Sequence, residues 1–110
     1  MKVVLAGAYG KLGSEILKSL LIAGHNVVAA DMIEGNIEGV DKASFAFKKL
    51  DVTDKNALKG ICNGADAVIT TVGLTKTSAT LTNYDIDHNG NLNLLNEAKA
   101  AGVKNFVYIS

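Results

Sequence analysis

The sequence predicts an α/β fold in which a parallel β-sheet lies between helices, and three features support this. Short apolar runs alternate with stretches of helical periodicity along the chain. The chain has 110 residues, of which 48% are hydrophobic, enough for one domain with a single core. It contains no proline, which suits strands that each need their backbone N–H donors. Alternating strands and helices imply a parallel sheet with right-handed crossovers.

The beginning of the chain predicts a strand, a helix and a second strand. Val3–Ala6 is a continuous apolar run, typical of a strand buried on both faces. Apolar residues then recur at helical spacing up to Gly24, the expected C-terminal glycine of a helix. They are Leu12, Ile16, Leu17, Leu20 and Leu21. Asn26–Ala30 is a second apolar strand, which Asp31 ends.

The middle of the chain predicts a third strand and a short helix. The weakly patterned residues 34–44 are expected to be mostly loop, and Phe45–Leu50 is the third strand. Thr53 is the expected N-cap of a short helix over residues 54–62, which Asn63-Gly64 ends.

The last part predicts two more strands around a long helix. Ala67–Val72 is rich in β-branched residues and is the fourth strand. Residues 74–83 form a polar loop, and a helix follows over residues 85–101, ended by Gly102. Its apolar side consists of Leu94, Leu95, Ala98 and Ala101. Val103–Ile109 is the fifth strand.

Gly7, Gly10 and Gly13 form a Gly-x-x-Gly-x-x-Gly motif between the first strand and the first helix. The first glycine permits a tight turn, the second lets a pyrophosphate approach the backbone, and the third lets helix and strand pack closely. Free N–H groups at the helix start and the helix dipole attract the anion. In this context the motif predicts a three-layer Rossmann fold with strand order 3-2-1-4-5, which binds a dinucleotide.

Acidic residues stand at two strand ends. Asp31, 18 residues after Gly13, is placed to accept hydrogen bonds from both hydroxyls of the adenosine ribose, unless it is only a turn residue. It would repel the 2′-phosphate of NADP, and no Lys or Arg follows within several residues, so NAD is predicted to be preferred over NADP. Asp51 and Val52 are expected to lie beside the adenine ring. Asp51 as a turn residue and Thr53 as a helix cap is the other interpretation, and the two are compatible.

Four further segments of the chain, together with the glycine motif and Asp31, carry a resemblance to a known superfamily. They are Asp51–Asp54, Asp66–Ile69, Asp87–Leu95 and Ala98–Ser110. With the glycine motif and Asp31, they make the whole chain resemble the short-chain dehydrogenase/reductase superfamily, in its extended and atypical branches. The nearest groups are NAD(P)H-binding, NmrA-like proteins and relatives of the NAD-dependent epimerase/dehydratases.

The resemblance implies a set of cofactor contacts. It maps Asp31 onto the ribose acid, and Asp51 and Val52 onto the adenine contacts. It implies a pyrophosphate turn made of Gly7, Tyr9, Gly10, Lys11, Leu12 and Gly13. It also implies that the loop passing the nicotinamide ribose contains Thr71, Val72 and Gly73.

The chain departs from the family pattern in its catalytic residues. The family's Tyr-x-x-x-Lys pair does not occur, so we expect the N-terminal half of a longer protein, without catalytic residues of its own. Val72-Gly73 and Asp87 also replace the Ala-Ala and Asn usual in extended members. Two functions stay open: the cofactor domain of an NAD(P)-dependent oxidoreductase or epimerase/dehydratase, or a non-catalytic NAD(P)-sensing regulator of the NmrA-like type.

Composition argues against several other partners. Eleven Lys and Arg balance eleven Asp and Glu, which disfavours duplex nucleic acid or an anionic membrane as partner. No apolar run approaches the roughly 18 residues of a membrane helix. Cys62 is the only cysteine and is expected to be structural, in keeping with a cytoplasmic protein without a metal site. The uncovered edge of the fifth strand predicts a homo-oligomer.

Overall fold

A computed structural model describes most of the chain and confirms the predicted architecture. It describes residues 1–32, 34–35, 37, 39–41, 44–51, 54–71 and 81–109, with residues 81–89 as backbone only. Within these residues the strands are β1 (Lys2–Ala6), β2 (Asn26–Asp31), β3 (Ala46–Lys49), β4 (Ala67–Thr70) and β5 (Asn105–Tyr108). They are parallel and form one sheet in the order β3-β2-β1-β4-β5.

In the part of the chain that the structure describes, three helices cover the two faces of this sheet. They are α1 (Lys11–Ile22), α2 (Lys55–Leu58) and α3 (Leu81–Ala100). On one face, Leu17 of α1 belongs to a core cluster with Leu5 and Ala29 of the sheet. On the other face, Leu58 of α2 and Leu94 of α3 share a second cluster with alternate residues of the same strands. The fold is therefore the predicted three-layer α/β sandwich.

Glycines end the two long helices, as the sequence predicts. At the end of α1, Gly24 has φ +85° and its N–H donates to the Leu21 carbonyl at 3.1 Å. The His25 N–H donates to the Leu20 carbonyl at 3.1 Å, which completes a Schellman motif. Gly102 ends α3 with φ +75° and the same pair of bonds.

The N-cap prediction for α2 is wrong. Asp54 is the N-cap, because its carboxylate accepts the N–H groups of Asn56 at 3.0 Å and Ala57 at 3.3 Å; Thr53 lies outside the described residues. Asp and Thr are both good caps, so sequence did not separate these neighbours. The helix also ends earlier than predicted, because the chain leaves the helical region at Lys59 and Gly60 has φ +78°. Cys62 follows in a turn and is buried in the core, as expected of a structural residue.

Other boundaries differ where tertiary contacts outweigh local preference. α3 begins at Leu81, inside the stretch predicted as loop, because extending a packed helix costs less than starting one. β5 begins at Asn105 instead of Val103, whose N–H donates to the Ala98 carbonyl in the cap of α3. The predicted apolar face of α1 holds except at Leu12, which is 44% exposed.

Candidate functional site

The glycine turn between β1 and α1 is closed by backbone hydrogen bonds. Gly7 has φ +80°, a conformation that glycine adopts without strain. The N–H groups of Gly7 and Ala8 both donate to the Ala30 carbonyl of β2, at 2.8 and 3.3 Å. The Gly10 N–H donates to the Gly7 carbonyl at 3.1 Å. The predicted tight turn is thus present and is held against the end of β2.

Gly13 and Gly10 meet different constraints in this turn. A Cβ on Gly13 would lie 1.9 Å from the Gly7 carbonyl oxygen, so only glycine lets α1 pack this closely, as predicted. A Cβ on Gly10 would lie 3.3 Å from the same oxygen, a contact that a small shift relieves. Packing therefore explains Gly13 fully and Gly10 only in part, which leaves room for the predicted role of Gly10 in ligand approach.

The N-terminus of α1 presents hydrogen-bond donors and positive charge at the carboxyl ends of the strands. Gly10 is the N-cap and has no side chain to accept the first N–H groups of the helix. These groups lack intrahelical acceptors and carry the positive end of the helix dipole. Lys11 and Leu12 occupy the first turn, both exposed, and neither is acidic. This arrangement suits an anion such as a pyrophosphate.

Asp31 fastens the glycine turn to β2. Its Oδ2 accepts the Tyr9 N–H at 2.9 Å, and its Oδ1 accepts the Met32 N–H at 2.7 Å. Asp31 therefore acts as a turn residue, one of the two roles that its position predicts. Two carboxylate oxygens offer about four lone-pair positions, so these bonds leave acceptor capacity for ribose hydroxyls.

Thr71 ties the end of β4 to the same turn. Its N–H donates to the Ala6 carbonyl at 3.0 Å, and its hydroxyl lies 3.2 Å from the carbonyl oxygens of both Ala6 and Gly7. The structure thus brings Thr71, the glycine turn and Asp31 together. The predicted neighbours Val72 and Gly73 lie outside the described residues.

Asp51 also lies at the carboxyl ends of the strands, just beyond β3. The N–H of the preceding Leu50 donates to the Asp31 carbonyl at 2.8 Å, and the Asp51 carbonyl accepts the Asp54 N–H at 3.0 Å. Asp51 is thus a turn residue, as one prediction has it. Its adenine contact stays a prediction, and Val52 lies outside the described residues.

The side chain of Tyr9 packs against β3, a contact that the sequence did not predict. Its ring meets the ring of Phe47 in β3 at a centroid distance of 5.7 Å and an angle of 59°. It also contacts Gly35, where a Cβ would lie 3.0 Å from the Tyr9 Cδ1. The hydroxyl is buried without a hydrogen-bond partner within the described part of the chain. Burial, then the charges of Glu34 and Asp31, raise the pKa of Tyr9, so the phenol stays neutral near pH 7.

The described residues contain neither a candidate metal site nor a helix that could span a membrane. No group of three or more His, Cys, Asp or Glu side chains there is placed to hold a metal ion. None of the helices, within those same residues, is long and apolar enough to cross a membrane.

Comparison with known proteins identifies relatives of this architecture. The model of the NAD dependent epimerase/dehydratase family matches residues 3–110. UDP-glucose 4-epimerase 2 of Oryza sativa subsp. japonica is 32% identical over 124 residues, covering 98% of this chain and 30% of the rice protein. UDP-glucose 4-epimerase of Klebsiella pneumoniae is 30% identical over 123 residues, covering 100% of this chain and 88% of that protein.

A solved structure supports the same assignment. The crystal structure of the Bordetella bronchiseptica enzyme WbmH in complex with NAD+ matches with a TM-score of 0.81 at 27% identity, covering 97% of this chain and 38% of that one. The chain thus spans about a third of the rice protein and somewhat more of WbmH. With the family model matching nearly every residue, the chain belongs to the NAD dependent epimerase/dehydratase family.

Proposed function

We propose that this chain binds NAD and forms the cofactor-binding portion of an oxidoreductase or epimerase/dehydratase. The observation that carries the proposal is the glycine turn, which holds the uncapped N-terminus of α1 beside the Asp31 carboxylate. Both lie at the carboxyl ends of β1 and β2, next to the point where strand order reverses, and dinucleotides bind at such points. The presence of NAD+ in the WbmH structure supports the choice of ligand.

We assign each part of the dinucleotide to its own set of residues. The pyrophosphate faces Gly10 and the first N–H groups of α1, while the adenosine ribose faces Asp31. We propose that Asp51 contacts the adenine and that Thr71 contacts the nicotinamide ribose. Val52, Val72 and Gly73, predicted to share these contacts, lie outside the described residues. Because Asp31 repels a 2′-phosphate and accepts ribose hydroxyls, we expect NAD to bind more tightly than NADP.

The chemistry of the bound cofactor would be hydride transfer at a carbinol carbon. Within these 110 residues the task of the protein is to bind and orient, because no Tyr-x-x-x-Lys pair is present to move the hydroxyl proton. We therefore expect the chain to bind NAD without turning over secondary alcohols or sugar nucleotides. The alternative of a non-catalytic regulator receives no support from the relatives described above.

Calorimetric titration of NAD into the wild type and Gly10→Ala tests this proposal. Gly10 has φ −70°, which alanine adopts freely, and the nearest contact of the new methyl is 3.3 Å. The variant should therefore fold but bind NAD about tenfold more weakly, a loss of about 1.4 kcal/mol. Ser19→Ala, on an exposed part of α1, is the matched control and should bind normally. A folded wild type that binds no NAD, or equal binding by Gly10→Ala, would contradict the proposal.

A further inference from the structure

The sheet places a lysine beside Asp31 that the sequence does not reveal. In the pairing of β2 with β3, Asp31 is in register with Lys49, and Ala30 is in register with Lys48. Register partners on parallel strands project from the same face of a sheet, and successive residues alternate. Lys49 therefore shares the face of Asp31 and Phe47, whereas Lys48 lies on the opposite face.

The ammonium group of Lys49 is available to an anion bound at this position. Lys49 is exposed and forms no ion pair with any other residue that the structure describes. The Asp31 carboxylate already accepts two backbone N–H groups, so it does not require Lys49 as a partner. Neighbouring strands lie about 4.8 Å apart, a distance that a lysine side chain readily spans.

We propose that Lys49 is a specificity-determining residue that binds the 2′-phosphate of NADP, so that the chain accepts NADP as a second, weaker cofactor. The inference rests on the proposed function and adds to it the residue that moderates the discrimination by Asp31. The 2′-phosphate would lie between one carboxylate, which repels it, and one ammonium, which attracts it. NAD keeps its advantage because only NAD retains the 2′-hydroxyl that donates to Asp31.

The test is a titration of NAD and NADP into the wild type, Lys49→Ala and Lys48→Ala. Both lysines are exposed, so neither substitution should disturb folding. Lys49→Ala should weaken NADP binding about fivefold, the size expected of an exposed charge pair. It should change the affinity for NAD by less than about twofold. Lys48→Ala, which removes the same charge from the other face, should leave both affinities unchanged. The effect of Lys49→Ala should shrink at about 1 M salt, where charges are screened beyond about 3 Å.

The possible outcomes separate this inference from the proposed function. Wild-type protein that binds NAD but shows no NADP binding, or the same NADP affinity after Lys49→Ala, overturns the role of Lys49 only. Equal losses in Lys49→Ala and Lys48→Ala overturn it as well, because the effect would then be one of net charge. Failure of the wild type to bind NAD overturns the proposed function itself.

Discussion

Asp31 shows how one residue can serve both the fold and the proposed ligand. Its carboxylate accepts the N–H groups of Tyr9 and Met32, so it orients the glycine turn. An alanine at this position would leave two backbone donors without their acceptor, which mixes folding effects with binding effects. Asparagine is the better probe, because it keeps one acceptor oxygen and removes the charge.

We predict that Asp31→Asn weakens NAD binding about tenfold and reduces the difference in affinity between NAD and NADP. The reason is that a hydrogen bond to a charged acceptor contributes about 1.5–3 kcal/mol, more than one to a neutral acceptor. Calorimetric titration of both cofactors measures this. Asp66→Asn is the control. The Asp66 carboxylate also accepts a backbone N–H, that of Lys2 at 2.8 Å, but it precedes β4 and so lies at the amino ends of the strands, opposite the candidate site. Tighter binding of NADP than NAD by the wild type would refute the predicted preference.

Tyr9 carries a hydroxyl whose burial is uncompensated in the described residues. We predict that Tyr9→Phe raises the free energy of unfolding by about 1 kcal/mol, since a buried unsatisfied polar group costs about 1–3 kcal/mol. Urea denaturation at pH 7 measures this, and Tyr108→Phe, at a position 49% exposed, should change nothing. A less stable Tyr9→Phe would show that the hydroxyl has a partner.

The same residue predicts a pH dependence. The pKa of Tyr9 is raised above its ordinary value of 10.0 in the folded chain, so the unfolded chain loses the proton first. Stability from this group is therefore complete below pH 10 and falls as the pH rises above it. The stability advantage of Tyr9→Phe over the wild type should therefore be constant below pH 10 and grow as the pH rises above it. An advantage that is constant with pH would contradict this assignment.

At the scale of elements, the contact of α1 with the glycine turn predicts a sharp difference between two glycines. Gly13→Ala places a methyl 1.9 Å from the rigid Gly7 carbonyl, so α1 must move away from β1. We expect it to lose about 3 kcal/mol of unfolding free energy, the upper range for overpacking. Gly10→Ala, whose methyl is 3.3 Å from that oxygen, should lose less than about 1 kcal/mol. Urea denaturation of both variants measures their free energies of unfolding. Equal values would contradict the close approach of Gly13 to the Gly7 carbonyl.

At the scale of the whole molecule, the outer edge of β5 predicts self-association. β5 pairs with β4, and no second strand pairs with it in the described part of the chain. Val107 is 44% exposed and Tyr108 is 49% exposed, and such edges tend to pair with another chain. We expect light scattering to show a mass that rises from monomer to oligomer with concentration.

Val107→Lys should reduce this association, because a charge on an edge strand disfavours pairing. Ile22→Lys is the control, since Ile22 is 88% exposed at the end of α1, away from that edge. A wild type that stays monomeric at every concentration would refute the edge as an interface.

Features that depend on near neighbours follow from the amino-acid sequence alone. The spacing of Gly7, Gly10 and Gly13 specified the turn, and Gly24 and Gly102 specified two helix ends, because each depends on backbone conformation within a few residues. Alternating apolar runs specified the three layers, because short right-handed crossovers leave few arrangements, and the glycine motif after the first strand specified the strand order.

The choice between similar local options, and the contacts between residues far apart in sequence, follow from the assembled fold. The choice of Asp54 as N-cap and the start of α3 at Leu81 depend on competition among similar local options. The contact of Tyr9 with Phe47, and the position of Lys49 beside Asp31, depend on the register of β2 against β3. A shift of one residue would turn Lys49 to the other face, so this feature of the candidate site becomes visible only once the sheet is assembled.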